Sequence, residues 1–273
     1  MSTKWLKIPR SFMALICGLG FLVPLYITLC TSLDAPAHVF TFPPHLTLDF
    51  NWSAYRDAWH MYQWLDYFRN TILIAVFTIL ISLVTSMLAA YALSFIKFRG
   101  RNFVFTLVLL VMMIPGETQL IPNFVIMAKL GLVDTIAAQV LPYGASAFGI
   151  FLLRQFFLSL PKDYWEAARV DGCGHLRFLW SIAVPMCRPI LFTIALYSFI
   201  GCWNSLIWPL MVTQSPKAQP IEVALATFLT SNSADWQGLS AAAIFTTLPV
   251  VIVYILLQKH IIRGISRGDG IRF

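Results

Sequence analysis

The chain has 273 residues, of which 59% are hydrophobic and only 11% are charged. A soluble globule of this size needs more polar residues to cover its surface, so the composition excludes a soluble enzyme or binding protein and indicates an integral membrane protein. The five cysteines include no CxxC pair, so neither a disulfide framework nor a zinc site is indicated.

Long apolar stretches follow one another along the chain and predict an all-helical fold. A helix of about 20 residues crosses a hydrocarbon core about 30 Å thick. Six stretches are long enough, and only the third contains a charged residue, Glu117. The first stretch is too long for a cleaved signal and is interpreted as a retained helix. The predicted spans are residues 11–33, 71–96, 102–128, 135–153, 189–216 and 237–258.

The basic residues predict the orientation, because short loops rich in Lys and Arg stay on the cytoplasmic side. With both termini inside, fifteen of the nineteen Lys and Arg residues fall in cytoplasmic segments. The formal net charge is then +11 inside and −4 outside, within a total of +7. We therefore expect a multi-pass protein of the cell inner membrane with cytoplasmic termini. The pI of about 9.3 reflects this topology and not nucleic-acid binding.

Two longer polar intervals are predicted to lie outside. The first, residues 34–68, contains the run NWSAYRDAWHMYQWLDYFRN, whose Trp and Tyr residues favour an amphipathic helix at the membrane interface. Its histidines, His38, His45 and His60, fit no metal-ligand spacing and are interpreted as solvated loop residues. The second interval, about residues 217–236, is available to a soluble partner.

The chain contains no motif of its own for capturing energy. A GxxxxGK[ST] loop for nucleotide phosphates does not occur. The predicted spans also lack the series of acids, histidines or arginines that forms a proton or sodium relay. Glu117 is the sole intramembrane residue that is a candidate for such a role. Because Glu117 follows Pro115 and Gly116 near the outer end of its span, a snorkelling or helix-break position is favoured over a transport role. Energy for any transport must therefore come from another subunit.

The loop between the fourth and fifth predicted spans, residues 159–185, has a distinctive pattern. Its second part reads EAARVDGCGHLRFLWSIAVP. Glu166, Ala167 and Ala168 are good helix formers, and Gly172 is a natural helix stop. The loop is therefore predicted to form a short helix, a turn and a second short helix at the cytoplasmic face. An ordinary amphipathic connector is the alternative, although it does not account for the spacing.

This spacing resembles the EAA loop of the membrane subunits of bacterial ABC importers, with Val184 where Leu is usual. The resemblance implies a coupling helix that sits in a cleft of an ATPase subunit and carries the motion of ATP-driven dimer closure to the membrane helices. Glu166 would be the charged contact, Ala167 and Ala168 the low face that docks, and Gly172 the turn.

Further stretches resemble the MalG-like carbohydrate permease subunits of ABC importers over nearly the whole chain. WNSLIWPL, residues 203–210, is similar to the WNxxLxPL run on the fifth span of that group, with Ser205 where many relatives have an acid or amide. KFRGR after the second span and PGETQLIPNF in the third also match. The C-terminal run QKHIIRGISRGDGIRF is similar to the group's tail, from which Asp269 departs.

The WNSLIWPL run supplies the candidate solute contacts. Asn204 can donate and accept hydrogen bonds, and Trp203 and Trp208 can stack on a sugar face. A helical projection puts Asn204 and Trp208 on one face with Trp203 beside it. In the alternative, Asn204 bonds a neighbouring helix and the tryptophans belong to the outer aromatic belt. Both remain open, and the paired permease can instead hold most of the solute contacts.

These features predict an all-α, six-span permease subunit of a type I ABC importer, one domain over residues 1–273 that moves a sugar or polyol by alternating access. It is not predicted to be an enzyme, and ATP and Mg²⁺ would be bound by partner ATPase subunits. The implied partners are a second homologous permease, an ATPase pair, an extracytoplasmic binding protein and the lipid membrane. The alternatives are a glycerol-3-phosphate importer and, in a different class, a secondary transporter.

Overall fold

The computed structural model describes residues 7–35, 46, 48–231 and 235–268. Regular secondary structure within these residues is helical, which confirms the all-helical prediction. The helices are α1 (Lys7–Leu33), α2 (Ser53–Met61), α3 (Trp64–Phe95), α4 (Arg101–Met112), α5 (Leu120–Lys129), α6 (Ile136–Val140), α7 (Ala147–Ser159), α8 (Asp163–Val170), α9 (His175–Phe178), α10 (Val184–Met186), α11 (Arg188–Trp203), α12 (Ile207–Val212), α13 (Ile221–Ser231) and α14 (Trp236–Gly268). Two 3-10 turns, Gly116–Gln119 and Leu141–Tyr143, and a π-helical turn, Leu179–Ala183, connect some of them.

These helices provide up to six candidate membrane spans. Three are single helices that are long and apolar enough, over Leu15–Leu33, Trp64–Phe95 and Trp236–Leu256. Three more result if each bent pair counts as one span: α4 with α5, α6 with α7, and the α9–α10 stretch with α11. The bends measure 99°, 43° and 80°. The number of spans agrees with the sequence, and the first bend lies at the break that Pro115 and Gly116 indicate, whereas the other two bends were not predicted.

The third predicted span, residues 102–128, is broken where the sequence reads IPGE. α4 ends at Met112, and the chain bends by 99° before α5 continues. Pro115 explains the break, because its ring removes a backbone donor and disfavours a helical conformation for the preceding residue. Glu117 lies in the following 3-10 turn and is exposed, so it occupies the helix-break position that the sequence favours.

The fourth span continues past its predicted end at residue 153 and reaches Ser159. The charge of Arg154 is what ends the apolar stretch in the sequence. In the fold, the Arg154 guanidinium lies 3.8 Å from the centre of the Phe105 ring, and Nε donates to the Leu93 carbonyl at 3.4 Å. A ring face from α4 and a backbone oxygen from α3 therefore accommodate this buried cation of α7.

The predicted fifth span, residues 189–216, is not one helix. α11 ends at Trp203, and α12 begins only at Ile207. Pro209 explains the interruption, because a proline is tolerated in a first helical turn but would clash with the carbonyl four residues earlier in a continuous helix. Residues 204–206 are consequently released from helical geometry.

The two predicted external intervals contain more structure than loops. In the first, α2 ends at Met61 and Trp64 already begins α3, so the interface run forms two helices instead of one. His38 and His45 lie outside the described residues. In the second, the sequence analysis missed α13, whose buried residues have helical spacing: Ile221, Val223, Ala224 and Phe228.

The chain divides into two compact units, Met1–Trp64 with Ala224–Pro249 and Leu65–Val223 with Val250–Phe273. In the first unit, the buried Trp64 ring meets Phe245 edge-on with centroids 4.8 Å apart. In the second unit, α3, α7 and the segment from α8 to α11 enclose one apolar cluster, whose most buried members include Leu153, Phe157, Phe178, Leu179 and Ile194. The candidate site residues all belong to the second unit.

Candidate functional site

A cavity of about 550 Å³ lies within the second unit. Its volume is in the range of sites for small molecules. Three stretches of chain form its walls: α3, the segment from α6 to the start of α7, and the α11–α12 region. The polar or aromatic lining residues are Thr78, Ser82, Gln139, Tyr143, Ser146, Tyr197, Ser198, Asn204, Ser205 and Trp208.

Helical spacing explains the contribution of α3. Ile74, Thr78 and Ser82 are four residues apart and therefore share one face of the helix, which forms a wall of the cavity. Thr78 and Ser82 are buried, with 3% and 1% of their surfaces exposed. The Ser82 hydroxyl has no hydrogen-bond partner, and the Thr78 hydroxyl has only the weakly polar Cys202 thiol beside it.

Gln139 presents a second unpartnered group. Its Nε2 donates to the Ala218 carbonyl at 2.7 Å, which fixes the orientation of the side chain. Its Oε1 is buried and has no hydrogen-bond partner among the residues that the structure describes. A buried polar atom without a partner is costly, particularly within a membrane. Ser82 and Gln139 both belong to the cavity wall, and these two oxygen atoms are themselves covered by protein.

The break between α11 and α12 brings Asn204 and Ser205 into the cavity wall. Asn204 is exposed there, and its backbone amide donates to the Ile200 carbonyl at 3.1 Å. Trp208 also lines the cavity but is only 3% exposed, and its Nε1 donates to the Ala138 carbonyl at 3.2 Å. Trp208 thus belongs to the cavity wall and also to an apolar cluster with Met127, Ala138 and Val212.

Trp203 does not belong to this wall. Its side chain is 2% exposed, and its ring packs against Phe68 and Phe199 with centroids 6.2 and 5.4 Å away. The structure therefore brings together Asn204 and Trp208 and leaves Trp203 in the core. Sequence reasoning missed Ser82, Gln139 and the two tyrosines, and the only signal they carried was polarity inside otherwise apolar stretches.

Asp134 holds the end of α12 in place. Its amide donates to the Val212 carbonyl at 2.8 Å, and its carboxylate accepts from the amides of Gln214 and Ser215 at 2.9 and 3.0 Å and from the Ser215 hydroxyl at 2.7 Å. Partial burial acts to raise the pKa of Asp134, but these hydrogen bonds and the charge of Lys217 bring it below the ordinary value. The ionised carboxylate thus fixes the helix that carries Trp208.

The loop at residues 159–185 folds as the predicted short helix and turn. α8 ends in a Schellman motif, in which the Gly172 amide donates to the Arg169 carbonyl and the Cys173 amide to the Ala168 carbonyl, at 3.0 and 2.9 Å. Gly172 has φ +71°, a conformation that favours glycine. The second helix is longer than predicted, because α9, the π-helical turn and α10 run together to Met186.

The two alanines of the EAA sequence face in different directions. Glu166 and Ala167 are exposed, whereas Ala168 is 6% exposed and belongs to the apolar cluster with Phe157 and Phe178. Only Glu166 and Ala167 are therefore free for an external contact, and Ala168 fits α8 onto the protein's own core. Apolar side chains also project from this loop, and Val170 and Leu176 are 88% and 66% exposed.

Aromatic contacts attach this loop to α3. The Trp165 ring of α8 stacks on His175 at the start of α9, with centroids 4.4 Å apart and planes at 20°. His175 Nδ1 and the Tyr91 hydroxyl share a hydrogen bond of 2.8 Å. Phe178 meets the Trp165 ring edge-on at 5.0 Å. The loop is consequently joined to the C-terminal part of a membrane helix whose other face lines the cavity.

The sequence and the fold were compared with known proteins. A family model described as binding-protein-dependent transport system inner membrane component matches residues 82–267. This range contains the whole 159–185 loop and every polar or aromatic lining residue except Thr78. An arabinooligosaccharides transport system permease protein, AraQ of Halalkalibacterium halodurans, is 36% identical over 226 residues, covering 83% of this chain and 80% of that protein. An sn-glycerol-3-phosphate transport system permease protein, UgpE of Yersinia enterocolitica, is 32% identical, and the match covers 94% of this chain and 95% of that protein.

Solved structures of bacterial ABC transporters share the fold of this chain. A bacterial ABC transporter involved in import of the acidic polysaccharide alginate matches with a TM-score of 0.79 and 29% identity, covering 95% of this chain and 98% of that one. A chain of an alginate ABC transporter in complex with an alginate pentasaccharide-bound periplasmic protein shares the fold, with a TM-score of 0.67 at 16% identity. The chain belongs to the family of binding-protein-dependent transport system inner membrane components.

Proposed function

We propose that this chain is the permease subunit of an ABC importer that moves a neutral, hydroxyl-rich solute, a sugar or polyol, through the cavity by alternating access. The carrying observation is the polar character of the cavity wall, to which α3 contributes Ser82 and α6 contributes Gln139. Each sugar hydroxyl both donates and accepts hydrogen bonds, so a sugar matches such a wall. Asn204 adds a donor and an acceptor, and Tyr143 and Tyr197 add ring faces.

The names of the relatives include both neutral and anionic solutes, and the cavity wall favours the neutral class. A phosphate is usually bound by Arg, Lys or a cluster of backbone amides. The described side chains of this wall instead offer hydroxyls, amides and aromatic rings. A glycerol-3-phosphate importer remains the second candidate, because UgpE is 32% identical over almost the whole chain.

The proposal includes the rest of the importer. A second permease, an ATPase pair that binds ATP and Mg²⁺, and an extracytoplasmic binding protein would complete it, with residues 1–273 acting as one permease domain in the inner membrane. Glu166 and Ala167 would contact the ATPase, with Gly172 as the turn and Ala168 as the packing residue. Family membership favours this arrangement over a self-sufficient secondary transporter or a membrane enzyme.

ATP-driven uptake by the complete importer in proteoliposomes tests the solute class. We expect uptake of neutral arabinooligosaccharides or of other neutral sugars and polyols in a panel, and none of glycerol-3-phosphate. Uptake of glycerol-3-phosphate in preference to every neutral solute would identify the second candidate as correct.

Ser82→Ala tests the cavity itself. Loss of one hydroxyl that bonds solute should raise the half-saturation concentration about 2- to 10-fold, the equivalent of a net hydrogen bond. Stability should not fall, because the deleted hydroxyl has no partner in the protein. Ser94→Ala on the same helix is the control, since that hydroxyl bonds the Ala90 carbonyl of its own helix at 2.7 Å. Equal transport by both variants would remove Ser82 from the solute path.

A further inference from the structure

We propose that Trp165, His175 and Tyr91 form a positioning link through which movement of the 159–185 loop reaches the solute cavity along α3. The inference rests on the proposed function, in which this loop contacts an ATPase. The link adds residues that the EAA pattern does not include, and it favours α3 over the interrupted α11 as the helix that carries movement from His175 to the cavity.

The link joins three separate stretches of chain. Trp165 lies beside Glu166 in α8, and His175 begins α9 on the other side of the Gly172 turn. The 4.4 Å stack of their rings closes the loop on itself, so that its two helices move together. The 2.8 Å hydrogen bond between His175 Nδ1 and the Tyr91 hydroxyl then attaches the closed loop to α3.

The surroundings of the link are close-packed. Tyr91 is 3% exposed and stacks on Phe95 with centroids 4.9 Å apart. Phe95 and Phe178 meet edge-on at 5.3 Å, and Phe178 contacts Trp165. Because such interiors have little free volume, a displacement of one ring is passed to its neighbours and is not absorbed.

α3 provides a continuous route from the link to the cavity. It is one helix from Trp64 to Phe95, and at 1.5 Å per residue Tyr91 lies about 13 Å along the axis from Ser82 and about 20 Å from Thr78. Both Ser82 and Thr78 line the cavity. Axial movement or tilting of α3 at Tyr91 therefore moves part of the cavity wall.

The other route is interrupted. From α9 the chain passes through the π-helical turn Leu179–Ala183 and then bends by 80° before α11. Such turns and kinks are points at which a helix can flex. Movement that enters at His175 therefore reaches the cavity through Tyr91 and α3 more directly than through α11.

The test uses the complete importer and an ATP-dependent readout. Asn204→Cys, in a chain without its native cysteines, places a thiol on the cavity wall, and its labelling rate by a maleimide is compared with and without ATP and vanadate. Tyr91→Phe and His175→Leu should reduce the ATP-dependent change in labelling rate about 2- to 30-fold, the range for residues that carry coupling. His175→Asn, which keeps a polar atom near the position of Nδ1, should restore most of the change. Tyr254→Phe removes the same hydroxyl from an exposed position and is the control.

Co-purification of the ATPase separates this inference from the proposed function. The Tyr91 and His175 variants should retain the ATPase, whereas Glu166→Lys should lose it. If Glu166→Lys retains the ATPase and shows a normal ATP-dependent change in labelling, the proposed contact between Glu166 and the ATPase is wrong. If His175→Leu does not assemble, Tyr91→Phe decides, because it removes a single oxygen atom. A full ATP-dependent change in labelling for Tyr91→Phe, with the ATPase bound, would overturn the link.

Discussion

Asp134 connects two separate stretches of chain through a single carboxylate. Hydrogen bonds from Gln214 and Ser215 favour its ionised form, so the folded protein binds a proton at this site less readily than the unfolded chain does. A carboxyl whose pKa is lowered on folding stabilises the protein fully above its unfolded pKa. The contribution is lost as the pH falls through the folded value.

Asp134→Asn should therefore lower stability at pH 7 by about 1 to 2 kcal/mol, because the charge is lost and an amide nitrogen cannot accept a hydrogen bond from Ser215. The difference from the unaltered protein should be constant between about pH 8 and 5 and shrink below about pH 4. Thermal unfolding of the purified complex in detergent measures both effects. Asp57→Asn is the control, since that exposed carboxylate lies 3.6 Å from Arg56. A difference that widens on acidification would contradict the assignment.

Side-chain directions near Asn204 show how far the sequence could predict the site. Helical projection grouped Asn204 with Trp208 on one continuous helix, whereas the helix ends at Trp203, both residues line the cavity across the break, and the Trp203 ring packs in the core. Ser82 and Gln139 were missed because single hydroxyl and amide side chains are common in membrane helices. Only the three-dimensional arrangement shows that their oxygen atoms lack partners.

α3 and α7 approach each other closely at Gly149. A Cβ atom there would lie 2.8 Å from Ser86 Oγ and 3.2 Å from Ser86 Cβ. Small residues allow such contacts between membrane helices, in which backbone proximity supplies much of the packing. The Thr85 hydroxyl, which donates to the Gly144 carbonyl at 2.7 Å, reinforces the same contact.

Gly149→Ala should consequently destabilise the protein by about 1 kcal/mol. Overpacking costs about 1–3 kcal/mol, and the better helix propensity of alanine offsets about 1 kcal/mol of it. The matched control is Gly20→Ala in α1, where a Cβ meets nothing within 4 Å and where propensity alone predicts equal or greater stability. Unfolding temperatures of the two variants provide the comparison, and an equally stable Gly149→Ala protein would show that the helices separate easily at this point.

The number of membrane spans could be predicted from the sequence, whereas the angles at which they bend could not. Apolar length fixes how many segments can cross a membrane, and this is a local property of the sequence. Pro115 marks a break, but the 99° angle depends on what the two halves pack against. Arg154 made the predicted fourth span too short. Its charge ends the apolar stretch in the sequence, but Phe105 and Leu93 accommodate that charge in the fold.

The orientation of the whole molecule remains a prediction from its charges. Fifteen of nineteen basic residues lie in the segments expected to be cytoplasmic. In a chain without its native cysteines, Ser53→Cys should react with a membrane-impermeant thiol reagent in intact cells, whereas Ser266→Cys should react only after lysis. Labelling of Ser266→Cys in intact cells would reverse the predicted topology.

Two helix ends contribute to the electrostatic field at the cavity wall. The sixteen residues of α11 align their peptide dipoles, which leaves about half an elementary negative charge at the C-terminal end. That end lies at Trp203, between the lining residues Cys202 and Asn204. The N-terminal end of α7, whose N-cap Ser146 also lines the cavity, carries the opposite partial charge. A sugar hydroxyl, which is itself a dipole, can orient in the field of both ends, in agreement with the solute class proposed above.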